Sequence, residues 1–475
     1  MKSLSLTISA QGLLSFVWHL FRISLSFSLL FADNFILLAS TVLAWFSFRI
    51  RRRFVTRNVH FYPKTILVTG IGTLHGLALA RAWNAEGHRV IGADVVNLHL
   101  PIRSGGSMSK ALLAYYRVQK DHYISSLLDI VHREKVDIWI PCSSKSTAME
   151  DAMARQVIES RTSCRCITLD VELTACFAHP ESFRQYLVEK DLPVLEHHTV
   201  QSRDSIHKIL HRSPSKSYQI QRLSPGVNAK ALTLPKRTLS KTYSEVSEIQ
   251  INKECPWVLQ QQPRLGEFFA DLLVVRGQVH AIKVRLIESR SPHWGASPLD
   301  EALAVAIHRL MGNFAQKGGL RMTGHLSVQL FIDEEFGVSS VRHTILIADC
   351  IPGANAVRNL LRDARCPVKG YIAILSPESN EPASWDVTAT LSPMSRTLKS
   401  VGENAGTHLV VRFHSWSLAN RTIAAVKTEL QPFIFWRDPR FSFEDPLPWW
   451  WHVHVYQPLQ DILLLIKQTR EAGLT

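Results

Sequence analysis

The chain has 475 residues, a length that allows about three domains. Its residues are 46% hydrophobic and 20% charged, which is the composition of an ordinary globular protein and excludes extensive disorder. Its formal net charge is +14, but the basic residues form no aromatic-interleaved motif, so we expect no nucleic-acid partner. Its seven cysteines include no CxxC pair, which predicts neither a structural zinc site nor a disulfide framework and suits a reducing compartment.

The N-terminal region is strongly apolar. Residues 13–48 contain only His19, Arg22 and Asp33 as titratable interruptions. The best single span is Leu29 to Phe48, about 20 residues, which matches a hydrocarbon core of about 30 Å. Large aromatic residues stand where a signal peptide would be cleaved, so the pattern predicts an uncleaved membrane anchor, with a poorly ordered apolar tail as the alternative.

The flanks of this span set its expected orientation. Residues 11–28 are either an interfacial amphipathic helix or a second span, which would make a hairpin. A basic cluster follows the span, formed by Arg49, Arg51, Arg52, Arg53 and Arg57. By the positive-inside bias, we expect the rest of the chain to face the cytosol.

The first soluble segment has the pattern of a β-α-β unit. "TILVTG" at 65–70 is apolar throughout, as expected of a strand buried on both faces. "TLHGLALARAWNAEG" at 73–87 has helical spacing and ends at Gly87, a candidate C-cap. "HRVIGAD" at 88–94 is a second buried strand that ends in Asp94.

The glycine turn of this unit has two interpretations. Asp94 follows Gly72 by 22 positions, where a dinucleotide-binding fold places its ribose-binding acid. However, Gly70, Gly72 and Gly76 give GxGxxxG rather than GxGxxG, a spacing that also serves close helix-to-strand packing. A nicotinamide site and a purely structural turn both remain open.

Two further strand patterns complete this segment. "VDIWIPCSSKSTAMEDAM" at 136–153 reads as a buried strand, a turn and a helix, and "CRCITLD" at 164–170 as one more strand. Strands that alternate with helices predict a doubly wound parallel sheet in an α/β protein.

From residue 176 onward the chain resembles the ATP-grasp superfamily of ligases. "CFAHPESFRQYLVEKDLPVLEHHTVQS" at 176–202 carries His179, Phe183, Tyr186 and "DLPV" where that family has a helix followed by a Leu-Pro-Val phrase. "DPLPWWWHVHVYQPLQDILLLI" at 445–466 is similar to the tail of membrane-associated ATP-grasp enzymes of fungal secondary-metabolite pathways. The resemblance covers roughly residues 60–466, and the order of the motifs is its most specific feature.

The resemblance implies positions for the nucleotide and the metal. The strand in "SYQIQRLSPGVNAKALTLP" at 217–235 carries a phosphate-binding lysine in relatives, and "PWVLQQQPRLGEFFADLLVVRGQVHAI" at 256–282 is similar to the hinge that holds adenine and ribose. "GHLSVQLFID" at 324–333 and "ILIADCIPGANAV" at 345–357 resemble the strands with metal-binding acids. The implied nucleotide-binding residues are Gln221, Lys216, Arg222, Gln260 and Glu267, and the implied metal ligands are Asp349 and Gln329.

Several of these positions depart from the family pattern. Gln221 stands in place of the phosphate lysine, with Lys216, Arg222 and Lys230 nearby as substitutes, and Gln329 replaces the first metal acid. The Glu-Cys-Asn-Pro-Arg run of relatives becomes Asp349 followed by Cys-Ile-Pro-Gly. Ile351 therefore replaces a metal-binding asparagine, and Gly353 replaces an arginine whose guanidinium faces the substrate. Displaced acids that could compensate are Asp271, Asp333 and Glu334. No catalytic residue is assigned.

The resemblance implies an ATP-dependent carboxylate–amine ligase that works through an acyl phosphate, uses Mg²⁺ and takes a small acid and a small amine in a specialised biosynthetic pathway. The alternative is an inactive, membrane-tethered partner of pathway enzymes, and a nicotinamide-dependent reductase comes third. Four regions are expected: a membrane anchor with its basic flank (1–58), a Rossmann-like pre-ATP-grasp domain (59–175), an ATP-grasp α+β domain (176–375), and a linker with an aromatic C-terminal region (376–475).

Three other segments have weaker signals. "HVH" at 452–454 has a spacing that a strand could turn into a metal pair, although its aromatic context favours packing or an interfacial belt. Trp449, Trp450 and Trp451 fit a headgroup-level anchor or a buried cluster. Polar residues at 212–217 and 235–248 predict a loop over the nucleotide site, and 376–406 a surface insertion or linker.

Overall fold

In the computed structural model, the described residues are 2–55, 61–95, 102–142, 147–214, 216–222, 232–249, 251, 257–262, 266–286, 301–336, 341–363, 367–375, 433–435 and 438–472. Side chains are described for these residues except 2–14, 44–55, 221, 222, 286, 301, 334–336, 341, 342, 358, 362, 363, 367–369 and 467–472. Lys230, Arg57 and the insertion predicted at 376–406 therefore lie outside the described residues. The domain boundaries given above stay a prediction.

The N-terminal apolar region is one continuous helix, α1 (Lys2–Val55), of 54 residues. At about 1.5 Å per residue it is about 81 Å long, so the segments predicted at 11–28 and 29–48 belong to one rod. Its stretch Ser15–Leu43 is long and apolar enough, by length and composition alone, to cross a membrane.

A parallel sheet follows, as the sequence predicts. Its strands lie in the order β3-β2-β1-β4-β5, with all four neighbouring pairs parallel. The strands are β1 (Thr65–Thr69), β2 (Arg89–Val95), β3 (Ala114–Val118), β4 (Ile138–Pro141) and β5 (Arg165–Cys166). The last strand is shorter than the predicted 164–170, because it pairs with β4 through only two residues.

Helices cover both faces of this sheet, since strand side chains alternate between the faces. Ile66 and Val68 pack on the side of α2 (Leu74–Ala85), while Leu67 packs on the side of α3 (Tyr123–Glu134) and α4 (Ala148–Arg161). Just beyond α2, Gly87 has a φ of +91°, the left-handed conformation expected of its predicted position after the helix.

A second, antiparallel sheet has the order β11-β10-β12-β13. Its strands are β10 (Gly266–Val275), β11 (Gln278–Leu286), β12 (Gly324–Phe336) and β13 (Val341–Pro352). One face is buried against α5 (Val171–Ala178), α6 (Pro180–Glu189) and α9 (Glu301–Gly318). The other face meets α10 (Asn355–Asp363) and α11 (Pro367–Ile372), whose buried side chains share a core with the parallel sheet.

A third, smaller sheet has the order β6-β9-β7-β8. Its strands are β6 (His197–Val200), β7 (Ser217–Arg222), β8 (Leu232–Leu234) and β9 (Trp257–Gln262), and one face packs on α7 (Arg203–Arg212) and α8 (Leu239–Glu248). Helix α8 corrects the loop predicted for 235–248. The helix forms because Thr238 caps its first turn and Val246 is fully buried.

The C-terminal segment is helical, with α12 (Leu447–Trp451), a π-helical turn (His452–Tyr456) and α13 (Gln457–Ala472). "HVH" is therefore in a π-helical turn and not in a strand. Of the two interpretations of the tryptophans, the buried cluster describes Trp449, which has no exposed surface and packs against Phe435 and Phe441.

One buried carboxylate fastens this segment to the parallel-sheet unit. Asp445 accepts hydrogen bonds from Arg81 Nε at 3.0 Å, Ser109 Oγ at 2.5 Å and the backbone N–H of Lys110 at 3.1 Å. Arg81 also donates to the carbonyl oxygen of Asp445 at 2.7 Å. The C-terminal segment is thus fixed to α2 and to the turn that follows β2.

We expect Asp445→Ala to lower the free energy of unfolding by about 3–5 kcal/mol, because it leaves the Arg81 guanidinium without its buried partner. Urea denaturation followed by circular dichroism measures the change. The exposed Asp121→Ala serves as the control and should change stability by less than about 0.5 kcal/mol. Equal effects of the two substitutions would show that the Asp445 contacts contribute nothing.

Candidate nucleotide and substrate sites

Three residues of the candidate nucleotide site lie side by side on three neighbouring strands. Gln329 of β12 is directly opposite Asp349 of β13 and opposite Phe269 of β10, two residues after Glu267. Because side chains two residues apart share a face, Glu267, Gln329 and Asp349 project from the same face of the sheet. The Nε2 atom of Gln329 lies 3.5 Å from Glu267 Oε2. The structure therefore assembles two carboxylates and an amide from residues far apart in sequence.

Each member of this row is half-buried, and Asp349 Oδ1 accepts the N–H of Cys350 at 2.9 Å. Ile351, two residues after Asp349 and opposite Ser327, places an apolar side chain beside the row. Among the described residues, no group of three or more His, Cys, Asp or Glu side chains is close enough to hold a metal by itself.

Asp271, one of the acids considered as a displaced ligand, lies on the same face and is completely buried. It accepts hydrogen bonds from Arg285 Nε at 3.0 Å, Ser327 Oγ at 2.6 Å and Asn359 Nδ2 at 2.7 Å. These donors stabilise the ionised carboxylate and occupy its oxygens. Asp271 is thus a structural centre that joins three elements rather than a free ligand.

Arg285 is a cation that the sequence reasoning missed. Its guanidinium lies 4.2 Å above the ring of Phe269 and donates only through Nε to Asp271 among the contacts described above. Its side chain is 41% exposed, so it lies at the open end of the row. The alternation in "IKVRL" places Lys283 and Arg285 on one face of β11, a signal that was available in the sequence.

The implied hinge residues lie on the small sheet. Gln260 is half-buried and stands opposite Gln219 of β7 and His197 of β6, on the face away from α7 and α8. Gln221 and Arg222 are in β7, and their side chains lie outside the described residues.

Lys216 does not stand free as a substitute phosphate ligand. Its Nζ lies 2.6 Å from Glu196 Oε1, while Tyr218 donates to the other oxygen at 2.8 Å. Partial burial alone would raise the pKa of Glu196, but the hydrogen bonds from Lys216 and Tyr218 outweigh it and hold the pKa below its usual value. The lysine charge is therefore already neutralised by a neighbouring carboxylate.

A buried polar pair connects the small sheet to the antiparallel sheet. Gln261 Nε2 donates to Asp333 Oδ2 at 3.2 Å, and both side chains are buried. Gln261 Oε1 and Asp333 Oδ1 have no hydrogen-bond partner among the described residues. Two acceptor atoms are thus left without donors where β9 approaches β12, next to the hinge. The side chain of Glu334 lies outside the described residues.

A second candidate site lies at the carboxyl ends of the parallel strands. It is a cleft of about 300 Å³, lined by Gly72, Thr73, Asp94, Val95, Ile102, Ser104, Gly105, Tyr115, Arg117, Arg440, His452 and Tyr456. The parallel-sheet unit supplies its floor and the C-terminal segment supplies one wall. Stacked rings of His452 and Tyr456, 5.7 Å apart, face a cleft that also holds guanidinium groups and one carboxylate.

Asp94 binds its own glycine turn in this cleft. Its carboxylate accepts the N–H of Gly72 at 2.9 Å and the hydroxyl of Ser104 at 2.6 Å. Burial raises the pKa of Asp94 above its usual value, although these hydrogen bonds oppose the shift. A nicotinamide site would need the glycine N–H for pyrophosphate and the carboxylate for ribose. Here the two groups bind each other, which disfavours the reductase interpretation.

His452 is neutral at physiological pH. Burial, followed by the positive charges of Arg440 and Arg22, lowers the pKa of His452 to about 3. The imidazole therefore contributes packing and a hydrogen-bonding edge to the cleft rather than a charge.

Comparison with known proteins finds similarity in structure alone. No protein-family model matches the chain, and no curated protein matches its sequence. The biotin carboxylase subunit of pyruvate carboxylase aligns with a TM-score of 0.48 and 12% identity, over 70% of this chain and 73% of that one. Phosphoribosylglycinamide synthetase from Anaerococcus prevotii gives 0.43 and 12% (70% and 77%), and L-amino acid ligase from Bacillus licheniformis gives 0.39 and 11% (64% and 71%). With every quoted TM-score below 0.5, the functional argument rests on the residues of this chain.

We expect His452 to make the folded state sensitive to acid. Its pKa is about 3 in the folded chain and about 6.5 when unfolded, so the unfolded state binds more protons between these values. The neutral histidine is tolerated above pH 6.5, and stability falls as pH decreases through 6 and 5, by about 1 kcal/mol per pH unit from this residue. Urea unfolding at pH 6 and pH 5 should show a smaller loss for His452→Gln than for the wild type. An unchanged pH dependence in the variant would contradict the assignment.

Proposed function

We propose that the chain is an ATP-dependent carboxylate–amine ligase. The observation that carries the proposal is the row of Glu267, Gln329 and Asp349 across three adjacent strands, at the positions that the ATP-grasp resemblance implies.

The donor set is compatible with magnesium. Mg²⁺ takes hard oxygen ligands and is usually held by one or two carboxylates together with the phosphates of the substrate, rather than by a complete protein cage. Glu267 and Asp349 supply the carboxylates, and the amide oxygen of Gln329 supplies a neutral third ligand. When bound, the ion would neutralise charge that develops on the phosphate oxygens.

The residues of the chain then have separable tasks in an acyl-phosphate reaction. In such a reaction a substrate carboxylate oxygen attacks the γ-phosphorus and ADP leaves; the amine then attacks the acyl carbon and phosphate leaves. Arg285, held over Phe269 by Asp271, is placed to stabilise negative charge on the transferred group. Gln260 would bind the nucleoside, and the 300 Å³ cleft beside Asp94 would bind the acid or the amine.

The second candidate function is that of an inactive partner protein with the same fold. A specific observation favours it: Lys216, the one predicted phosphate-binding cation whose side chain is described, is 2.6 Å from Glu196. Ile351, which cannot ligate a metal, adds to this interpretation. In such a protein the row would bind a nucleotide weakly or not at all, and the surfaces would serve assembly with pathway enzymes.

We also propose that the protein works at a membrane, with its soluble part on the cytosolic side, in a specialised biosynthetic pathway. The apolar stretch Ser15–Leu43 and the basic residues that follow it support the membrane and its orientation. The pathway rests on the resemblance of residues 445–466 alone.

We expect Asp349→Asn to weaken the binding of Mg-ATP at least about tenfold, because the substitution removes a charge from the row while keeping its shape. Isothermal titration calorimetry of the full chain in detergent, with and without magnesium, measures the dissociation constant. Glu267→Gln should have a similar effect. The control Asp121→Asn changes an exposed acid just before α3 and should have no effect on binding.

The outcomes separate the two candidate functions. Metal-dependent binding that both row substitutions weaken, followed by phosphate release with a panel of acids and amines, supports the ligase. Binding without any turnover supports the inactive partner. Failure of the wild type to bind millimolar Mg-ATP in the presence of those acids and amines would overturn the nucleotide site.

A further inference from the structure

Five polar residues of the apolar helix α1 lie along one side, where three of them are buried and two are half-buried. His19, Arg22, Ser26, Asp33 and Ser40 follow one another at helical spacings of three, four and seven. All three titratable residues within 13–48 thus belong to one stripe. If the helix crossed a bilayer alone, these residues would have no partners in the lipid.

The first half of the stripe is paired with α13. His19 Nδ1 lies 2.8 Å from Asp461 Oδ1, and Arg22 Nε lies 3.4 Å from the other oxygen of the same carboxylate. Asp461 is only 2% exposed. Two cationic or potentially cationic side chains of α1 therefore share one buried acid of the C-terminal helix.

The second half is paired with the π-helical turn. Asp33 Oδ2 lies 2.9 Å from His454 Nε2, and Ser26 Oγ donates to the carbonyl oxygen of Val453 at 3.0 Å. Ser26 Oγ also lies 3.1 Å from His454 Nδ1. Together with the Asp461 contacts, these bonds fix α1 to the C-terminal segment over about 21 Å of its length.

The opposite side of α1 is exposed and, apart from Ser24, formed by large apolar residues. Its exposed residues recur at helical spacing: Leu20, Phe27, Phe31, Phe35, Leu38 and Val42. Phe31 is 88% exposed. From Leu20 to Val42 this stripe is about 33 Å long. A phenylalanine-rich face of this length is suited to lipid rather than to water.

Helix α13 lies on the polar side of α1, where Asp461 meets His19 and Arg22. It has exposed apolar residues of its own, Ile462, Leu463, Leu464 and Ile466. Two ends of the chain, more than 400 positions apart in sequence, thus form one helix pair, and the phenylalanine-rich face of α1 points away from α13.

The attachment of α1 restricts its orientation in a membrane. Residues 19–33 are bonded to the C-terminal segment, which Asp445 ties to the parallel-sheet unit, and α1 itself leads into that unit. A helix that crossed the bilayer between Asp33 and its end at Val55 would have its two attachments on opposite sides. Both attachments belong to one folded body, so such a crossing is incompatible with this packing.

We propose that the apolar face of α1 is an in-plane membrane-binding surface, and that α1 lies along a lipid bilayer rather than across it. The occupant of the apolar face is the bilayer, and the arginines at 49 and 51–53 suit anionic headgroups at its edge. The inference rests on the membrane association proposed above and does not depend on ligase activity.

Flotation with vesicles tests the surface. The full chain is incubated with vesicles of phosphatidylcholine and phosphatidylserine, and its bound fraction is measured across a lipid titration. We expect the double substitution Phe31→Ser, Phe35→Ser on the apolar face of α1 to lower the partition coefficient by about tenfold or more. The control Leu239→Ser, at an exposed residue of α8, should leave it unchanged. Failure of the wild type to float, or no effect of the Phe31 and Phe35 substitutions, would overturn the proposal.

Labelling in sealed microsomes tests the orientation. Ser3→Cys and Asp121→Cys, the second at an exposed position of the parallel-sheet unit, are introduced separately into the full chain, and a membrane-impermeant maleimide is applied before and after detergent, with mass spectrometry of the labelled peptides. An in-plane helix predicts that both positions react before detergent is added. If residue 3 reacts only after detergent while residue 121 reacts before it, α1 crosses the bilayer and the in-plane arrangement is wrong, although the membrane association would stand. Retained circular dichroism spectra show that the variants are folded.

Discussion

The buried contact between Asp445 and Arg81 is the constraint on which most of the functional architecture depends. It connects the last described segment of the chain to the first helix after the glycine turn. Because a buried carboxylate is tolerated only with donors around it, Ser109 and Lys110 are drawn to the same point. The segment that this attachment holds carries the residues of the cleft wall, Arg440, His452 and Tyr456, and also the residues that contact α1.

The π-helical turn shows how closely these two features are connected. Four of its five residues are divided between two tasks: His452 and Tyr456 line the cleft, while Val453 and His454 contact α1. A π-helical turn widens the backbone by one residue, which lets neighbouring side chains point to different partners. The cleft and the contacts with α1 are therefore joined by a single turn of backbone.

Local patterns predicted what depends on neighbours in sequence. The apolar runs gave β1, β2 and β4, and the periodic segment 73–87 gave α2 with its terminal glycine, because burial and helical spacing act over a few residues. The row of Glu267, Gln329 and Asp349 was reached only through resemblance, since it requires the register of β10, β12 and β13.

The failures of prediction have a common physical origin in long-range pairing. The apolar N-terminal segment contains three titratable residues that the sequence shows without partners: His19, Arg22 and Asp33. In the structure their partners lie more than 400 positions away. Lys216 looked like a free cation, and Asp94 like a free ribose ligand, until the structure placed Glu196 and the Gly72 N–H beside them. A polar residue in a sequence indicates that a partner is needed if the residue is buried, but the sequence does not identify that partner.

The charges of the candidate sites are largely balanced from within. Arg285 is paired with Asp271, Lys216 with Glu196, and Arg440 with Asp438. A nucleotide triphosphate entering such a site must either divert one of these cations or bring its own counter-ion. Arg285 is the cation best placed to be diverted, since its partner Asp271 keeps the donors of Ser327 and Asn359 when the guanidinium turns away. In the proposed ligase, stabilisation of charge on the phosphates therefore depends on whether Arg285 can leave its buried carboxylate.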